Sequence, residues 1–264
     1  MKKIKILVLL SLITALGFQG CKKKKSNEPE PDDSNAPNGT FMFHLHTYID
    51  NNEVDAYNTV YTTDLGRKIS ISLAQLYVTD IQLVKLDGST VDFSGKKILK
   101  VLETETYLVG DAPVGNYKSI RFKVGLDAAT NTVSPTAPAD SAILNKPEMW
   151  FNTTAQPDGY VFLNVQGKID TTSDASGTIA QMQPFVYKIG TNANYKQVIM
   201  PDKNFSIEGD QVQYGHIIID YNKLFNGIQL FQSANLSVTS ASVNAAAPAT
   251  TVANNIPSMF IYEQ

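Results

Sequence analysis

The sequence predicts an all-β fold: a single β-sandwich of mostly antiparallel strands with long loops. Three observations carry this. Apolar and polar residues alternate along many segments, whereas helical periodicity is scarce. Clusters of Gly, Pro, Asn and Asp separate those segments at the spacing expected of sandwiches. The 264 residues, 43% of them hydrophobic, are also enough for one large core.

The clearest strand is "NYKSIRFKVGLD". Ile120, Phe122, Val124 and Leu126 face one way, with Lys118 among them by parity; Tyr117, Ser119, Arg121 and Lys123 face the other. "GYVFLNVQGKID" sets Val161, Leu163 and Val165 against Tyr160, Phe162 and Asn164. "YGHIIIDY" is apolar on both faces at its centre and reads as a central strand. The run from Lys68 to Phe93 is longer than one ordinary strand. Its apolar phase changes after Leu73 and returns at Ile81, so a bulge or corner is expected near Ala74 to Leu76, because one extra residue flips the faces. The Asp87-Gly88 pair then marks a hairpin turn. "DYNKLFNG" reads as one helical turn closed by Gly227. The stretch 127–147, rich in Ala, Ser, Thr and Pro, is a long excursion, and loops of that length are more often functional or mobile than idle. No internal repeat is found.

The N-terminus predicts an address. Residues 1–20 have a lysine-bearing start, an apolar run and a small-residue stop, which is the pattern of an export signal. The run is shorter than the roughly 20 apolar residues that a membrane-spanning helix needs. It ends at Cys21, the only cysteine of the chain, and the stretch resembles a bacterial lipoprotein signal in which Cys21 takes the lipid. Residues 21–39 are charged and free of large apolar side chains. They cannot bury enough surface to offset their ordering entropy, and so form a disordered, lipid-anchored tether. Lys22 to Lys25 would lie at the headgroups, each contributing about 1 kcal/mol, and this basic run is read as membrane-proximal rather than as a nucleic-acid patch. Residues 40–264 then make the folded domain. The expected location is the cell envelope, anchored to the outer membrane. The lone cysteine leaves no intramolecular disulfide, so stability must come from packing.

The most pointed chemical signal is "FMFHLHTY". Side chains two apart on a strand share a face, so Met42, His44, His46 and Tyr48 point together, opposite Phe41, Phe43 and Leu45. Two imidazoles and a thioether on one face suit a soft, copper-like ion, and softness favours Cu(I). The simpler alternative is that Phe41, Phe43 and Leu45 form the buried face and the histidines merely sit on the wet one. A metal site needs a further donor, for which His216 is the candidate; His216 could equally be a satisfied histidine within a sheet. Trp150, the only tryptophan, follows Met149, and core packing is the default for such a pair. Asp127 and Asn131 lack the dense acidic spacing of a calcium loop. No nucleophile elbow, His-Glu-x-x-His or phosphate loop is present, so the expectation is a non-enzyme.

Four segments in order resemble the copper-binding MbnP-like family: "ISISLAQLYVTDIQLVKLDG", "VGNYKSIRFKVGLD", "MWFNTTAQPDGYVFLNVQGKID" and "ANNIPSMF". The resemblance covers most of the chain from Thr40 to Phe260. It implies a β-sandwich, copper as cofactor, and a framework role for Trp150. The family is also known for a tryptophan oxidised to kynurenine near copper, and Trp150 is not read as that residue. In "FVYKIG", Lys188 takes the place where the family usually has a histidine. A protonated amine has no lone pair for a metal, so this departure counts against copper. The rival reading is a surface lipoprotein that binds a glycan or protein partner through exposed aromatics and the 127–147 excursion.

Overall fold

The structure, a computed structural model, describes residues 37–134, 141–151 and 159–264. The signal, Cys21 and nearly all of the tether lie outside the described residues, as does part of the 127–147 excursion. Two sheets form the sandwich. The smaller contains β1 (Asn38–Ile49), β2 (Asn52–Glu53), β7 (Thr106–Pro113), β13 (Val212–Asp220) and β15 (Phe260–Tyr262). The larger contains β3 (Val60–Thr62), β4 (Lys68–Lys85), β5 (Thr90–Asp92), β6 (Ile98–Lys100), β8 (Gly115–Val124), β9 (Val161–Ile169), β10 (Gln183–Gly190), β11 (Lys196–Ile199), β12 (Phe205–Ile207) and β14 (Ser237–Val238). Among these, only β1 with β13 and β10 with β14 pair in parallel. The expected all-β sandwich is what the chain forms.

The small sheet is organised by β1. Its burial alternates along its length: Phe41, Phe43, Leu45, Thr47 and Ile49 are enclosed, and Met42, His44, His46 and Tyr48 between them are partly exposed. β13 lies between β1 and β15, as its doubly apolar centre predicts, with Ile217 and Ile219 facing the core. Gly215 is needed for this approach. A Cβ there would stand 2.9 Å from the Phe41 ring and 3.0 Å from Ile120, closer than real packing allows. The Asp-Gly hairpin joins β4 to β5, with the Lys85 N–H donating to the Ser89 carbonyl, and "YNKLF" forms one 3₁₀ turn (Tyr221–Phe225) followed by Gly227 at positive φ.

Three expectations about side-chain phase need correction. The first bulge of β4 falls between Ile71 and Leu73, not near Ala74 to Leu76; a second, between Thr79 and Gln82, restores the phase. The early slip was hidden because both faces of β4 are buried from Ala74 to Thr79, so apolar parity does not mark where it occurs. Tyr117 and Ser119 are buried rather than wet. The pairing of β8 with β4 also shifts between Val84 and Lys85, which turns Tyr117 into the main core, and the Ser119 hydroxyl on the other face donates to the Met200 carbonyl at 2.7 Å. Leu126 does not continue the face of Ile120 to Val124. It follows Gly125 at positive φ and joins a second apolar cluster.

That second cluster covers the outer face of the large sheet: Tyr77, Leu126, Leu144, Met149, Trp150, Tyr160 and Phe162. The face of β9 that carries Phe162 and Asn164, like Tyr160 before it, is therefore buried as well. The described parts of the 127–147 excursion close over it and satisfy its polar atoms. The Tyr77 hydroxyl donates to the Ile143 carbonyl (3.2 Å), Tyr160 to Val133 (2.9 Å) and the Trp150 indole N–H to Leu144 (3.0 Å). Trp150 is a core plug, with Met149 buried beside it. Trp150→Ala removes both the ring and the clasp on the excursion, so a loss of about 3–5 kcal/mol is expected; comparing urea unfolding of the variant with that of the parent chain measures it.

Candidate metal centre

The outward face of the small sheet gathers the histidines. In the parallel register His44 lies directly opposite His216, and Met42 opposite Tyr214. The Nδ1 atoms of His44 and His216 are 3.0 Å apart, and the ring centroids of His44 and His46 are 4.2 Å apart. One ring nitrogen from each of His44, His46 and His216 lies within 4.8 Å of the others. The three imidazoles singled out from the sequence thus converge, His216 among them. Met42 sits one row away, flanked by Leu108 and Tyr214, and two residues along a strand are about 7 Å apart. The three rings converge without it.

Three glutamates surround the rings, and sequence reasoning missed them all. The tight β1–β2 turn places Glu53 beside His46, whose Nδ1 lies 2.6 Å from a Glu53 oxygen. The loop before β7 brings Glu105 to 3.2 Å from His44 Nε2 and 4.0 Å from His46 Nδ1. At the end of the chain the Glu263 N–H donates to the His216 carbonyl, and its carboxylate stands 3.2 Å from His216 Nδ1 and 3.6 Å from His46 Nε2. A carboxylate accepts a hydrogen bond from the N–H of its imidazole partner. In neutral rings, Glu53 therefore holds the proton of His46 on Nδ1, and Glu105 holds that of His44 on Nε2. This leaves lone pairs on His46 Nε2 and His44 Nδ1. His46 Nε2 is buried and has no hydrogen-bond partner. On the same face, burial first and then the Glu53 and Glu263 carboxylates raise the Tyr48 phenol, which stays protonated.

Glu105 is held in place by a buried lysine. Lys100 is 1% exposed and donates to the carbonyls of Val101 (2.6 Å) and Thr104 (2.9 Å). The Tyr107 hydroxyl donates to Thr104 as well, at 2.8 Å, and the Leu45 N–H reaches the Glu105 carbonyl. Burial pushes the Lys100 amine down to about 8, against the opposing pull of Glu105 and Glu103.

The other residues singled out from the sequence lie elsewhere. Lys188 is on β10, on the face turned away from the main core. There it donates to the Trp150 carbonyl at 3.0 Å, its amine lowered by burial. Asp127 accepts from Ala129 and Thr130 in a local turn, while Asn131 accepts the Tyr160 N–H, so neither is poised for a cation.

The profile of the MbnP family matches residues 38–244. The chain belongs to the MbnP family. A solved structure, MbnP from Methylosinus trichosporium, matches at 15% identity and a TM-score of 0.47, covering 72% of this chain and 78% of that one. No curated protein sequence matches. In this MbnP-family chain the substitution at Lys188 does not intrude on the three-histidine cluster, because the two lie on different sheets.

The lysine staple makes a testable pH dependence. A base whose folded pKa is about 8, against about 10.4 in the unfolded chain, is protonated more readily when unfolded. Its penalty is therefore full below pH 8 and fades as the pH rises towards 10. The stability of the parent chain relative to Lys100→Met should increase across that window by roughly 1 kcal/mol per pH unit, as read from urea unfolding at pH 7 to 10.

Proposed function

We propose that this protein is a lipid-anchored, non-enzymatic member of the MbnP family that binds copper in the cell envelope through His44, His46 and His216. The observation that carries the reading is the buried Nε2 of His46. It has no hydrogen-bond partner, with the Glu263 carboxylate 3.6 Å away; Glu53 engages the opposite ring nitrogen, and His44 and His216 each bring a ring nitrogen within 4.8 Å of the His46 ring. An unsatisfied buried nitrogen is costly, and a metal ion at that point satisfies it. Imidazole is a good copper ligand, so the residues present fit the ion. The carboxylates behind two of the rings orient them, which is the usual support for metal-bound histidine. The family's association with copper supports the same ion over other late transition metals.

The anchor is supported by the sequence pattern around Cys21 and by the tether that follows it. Cys21→Ser should move the protein from the membrane fraction to the soluble fraction; unchanged retention would overturn the anchor.

For the metal, the full chain in detergent is titrated with copper against a chromophoric chelator, beside His44→Ala/His46→Ala. One ion per chain is expected, weakened in the double variant by more than the 10- to 100-fold that loss of an outer-shell partner costs, roughly. No competition by the parent chain would end the copper reading.

A further inference from the structure

Glu53, Glu105 and Glu263 arrive from a hairpin, a stapled loop and the last strand, yet each places a carboxylate oxygen within 3.2 Å of an imidazole nitrogen. Among the described residues the ion pairs of these three carboxylates are all with histidines. Their negative charge is thus not taken up by a neighbouring lysine or arginine at contact distance. His46 with Glu53 and Glu105 even forms a second group whose donor atoms lie within 4.8 Å of one another, so the carboxylates are near enough to act as ligands themselves.

We propose that the cluster selects divalent copper, Cu(II), over Cu(I). This rests on the metal-site reading above and revises the softness argument drawn from Met42. Two features favour the divalent ion. The close polar partners of the three rings are nitrogen and oxygen atoms only. Such a set suits Cu(II), whereas Cu(I) is selected by thiolate and thioether sulfur. Coulomb attraction also scales with the charge of the ion, so each carboxylate stabilises a divalent cation about twice as much as a monovalent one at the same distance. With three carboxylates around one centre, the difference is cumulative. The buried lone pair of His46 offers a nitrogen to either ion and does not discriminate. The discrimination lies in the glutamates.

The test compares the full chain in detergent with Glu53→Gln/Glu105→Gln/Glu263→Gln. Glutamine keeps an acceptor oxygen for each ring while removing the charge. Affinities for Cu(II) and, under reductant, for Cu(I) are measured against competing chelators, and Cu(II) occupancy is followed by electron paramagnetic resonance. In the parent chain the bound couple should favour Cu(II) more than aqueous copper does. In the triple variant, a loss of about 10-fold for Cu(I) should accompany a loss of about 100-fold for Cu(II), the square that a doubled charge requires. Equal losses for the two ions, or a parent chain that favours Cu(I), overturn the proposal while leaving the copper site intact. Failure of the parent chain to bind either ion overturns both readings. Should the triple variant not fold, Glu105→Gln alone carries the same comparison, with a smaller Cu(II)-specific loss expected and equal losses again overturning the proposal.

Discussion

The parallel pairing of β1 with β13 is the constraint on which the rest depends. It joins residues about 170 positions apart in the chain, in an unbroken register from Thr40 with Val212 to Tyr48 with Asp220. What locks that register is the inner face. Phe41, Phe43 and Leu45 alternate into the core, and each such side chain gains about 1.5–3 kcal/mol by burial. A slip of one residue would turn the imidazoles inward and the aromatic rings outward, so the core forbids it. Gly215 keeps the inner surface of β13 low enough for Phe41 to seat. The facing of His44 and His216 on the outside is a consequence of what the inside requires.

The two sheets treat their outer faces differently. The large sheet is roofed by a second apolar layer that includes Trp150, with the described parts of the excursion hydrogen-bonded over it. Among the described residues, the corresponding face of the small sheet has no such roof, and its half-exposed positions hold imidazoles, a phenol and carboxylates instead of a packed layer. This asymmetry separates stability from chemistry. The roofed face stabilises the domain, and the open face can bring unsatisfied nitrogen atoms to a ligand without breaching the core.

How much of this was legible follows from the range of each interaction. Parity within one strand is local, so the shared face of Met42, His44 and His46 could be read directly. Register between distant strands is not local, and nothing in "YGHIIIDY" says that His216 will stand beside His44 rather than beside an apolar neighbour. The glutamates were invisible for the same reason: Glu53 depends on a tight turn, Glu105 on a loop fastened by Lys100, and Glu263 on the pairing of the last strand. The one hint was Glu53, seven residues after His46 across an Asp-Asn turn that could return the chain. Strand phase failed where both faces are dry, in β4, because an apolar residue there marks burial without saying in which layer.

Lys188 shows how a sequence motif and a site can part company. Phe185, Tyr187 and Ile189 point into the main core, which sends Lys188 outward from the large sheet to the carbonyl of Trp150. The imidazoles project outward from the small sheet. Packed sheets stand about 10 Å apart, so the whole core lies between the two places and no single ion can be held by both. A lysine at 188 therefore removes nothing from the histidine cluster. Its amine, lowered by burial and drawn back up by Glu148, instead ties β10 to the roof of the second core. The substitution that counted most heavily against copper in the sequence is, in the folded chain, a matter of packing on the opposite side of the sandwich.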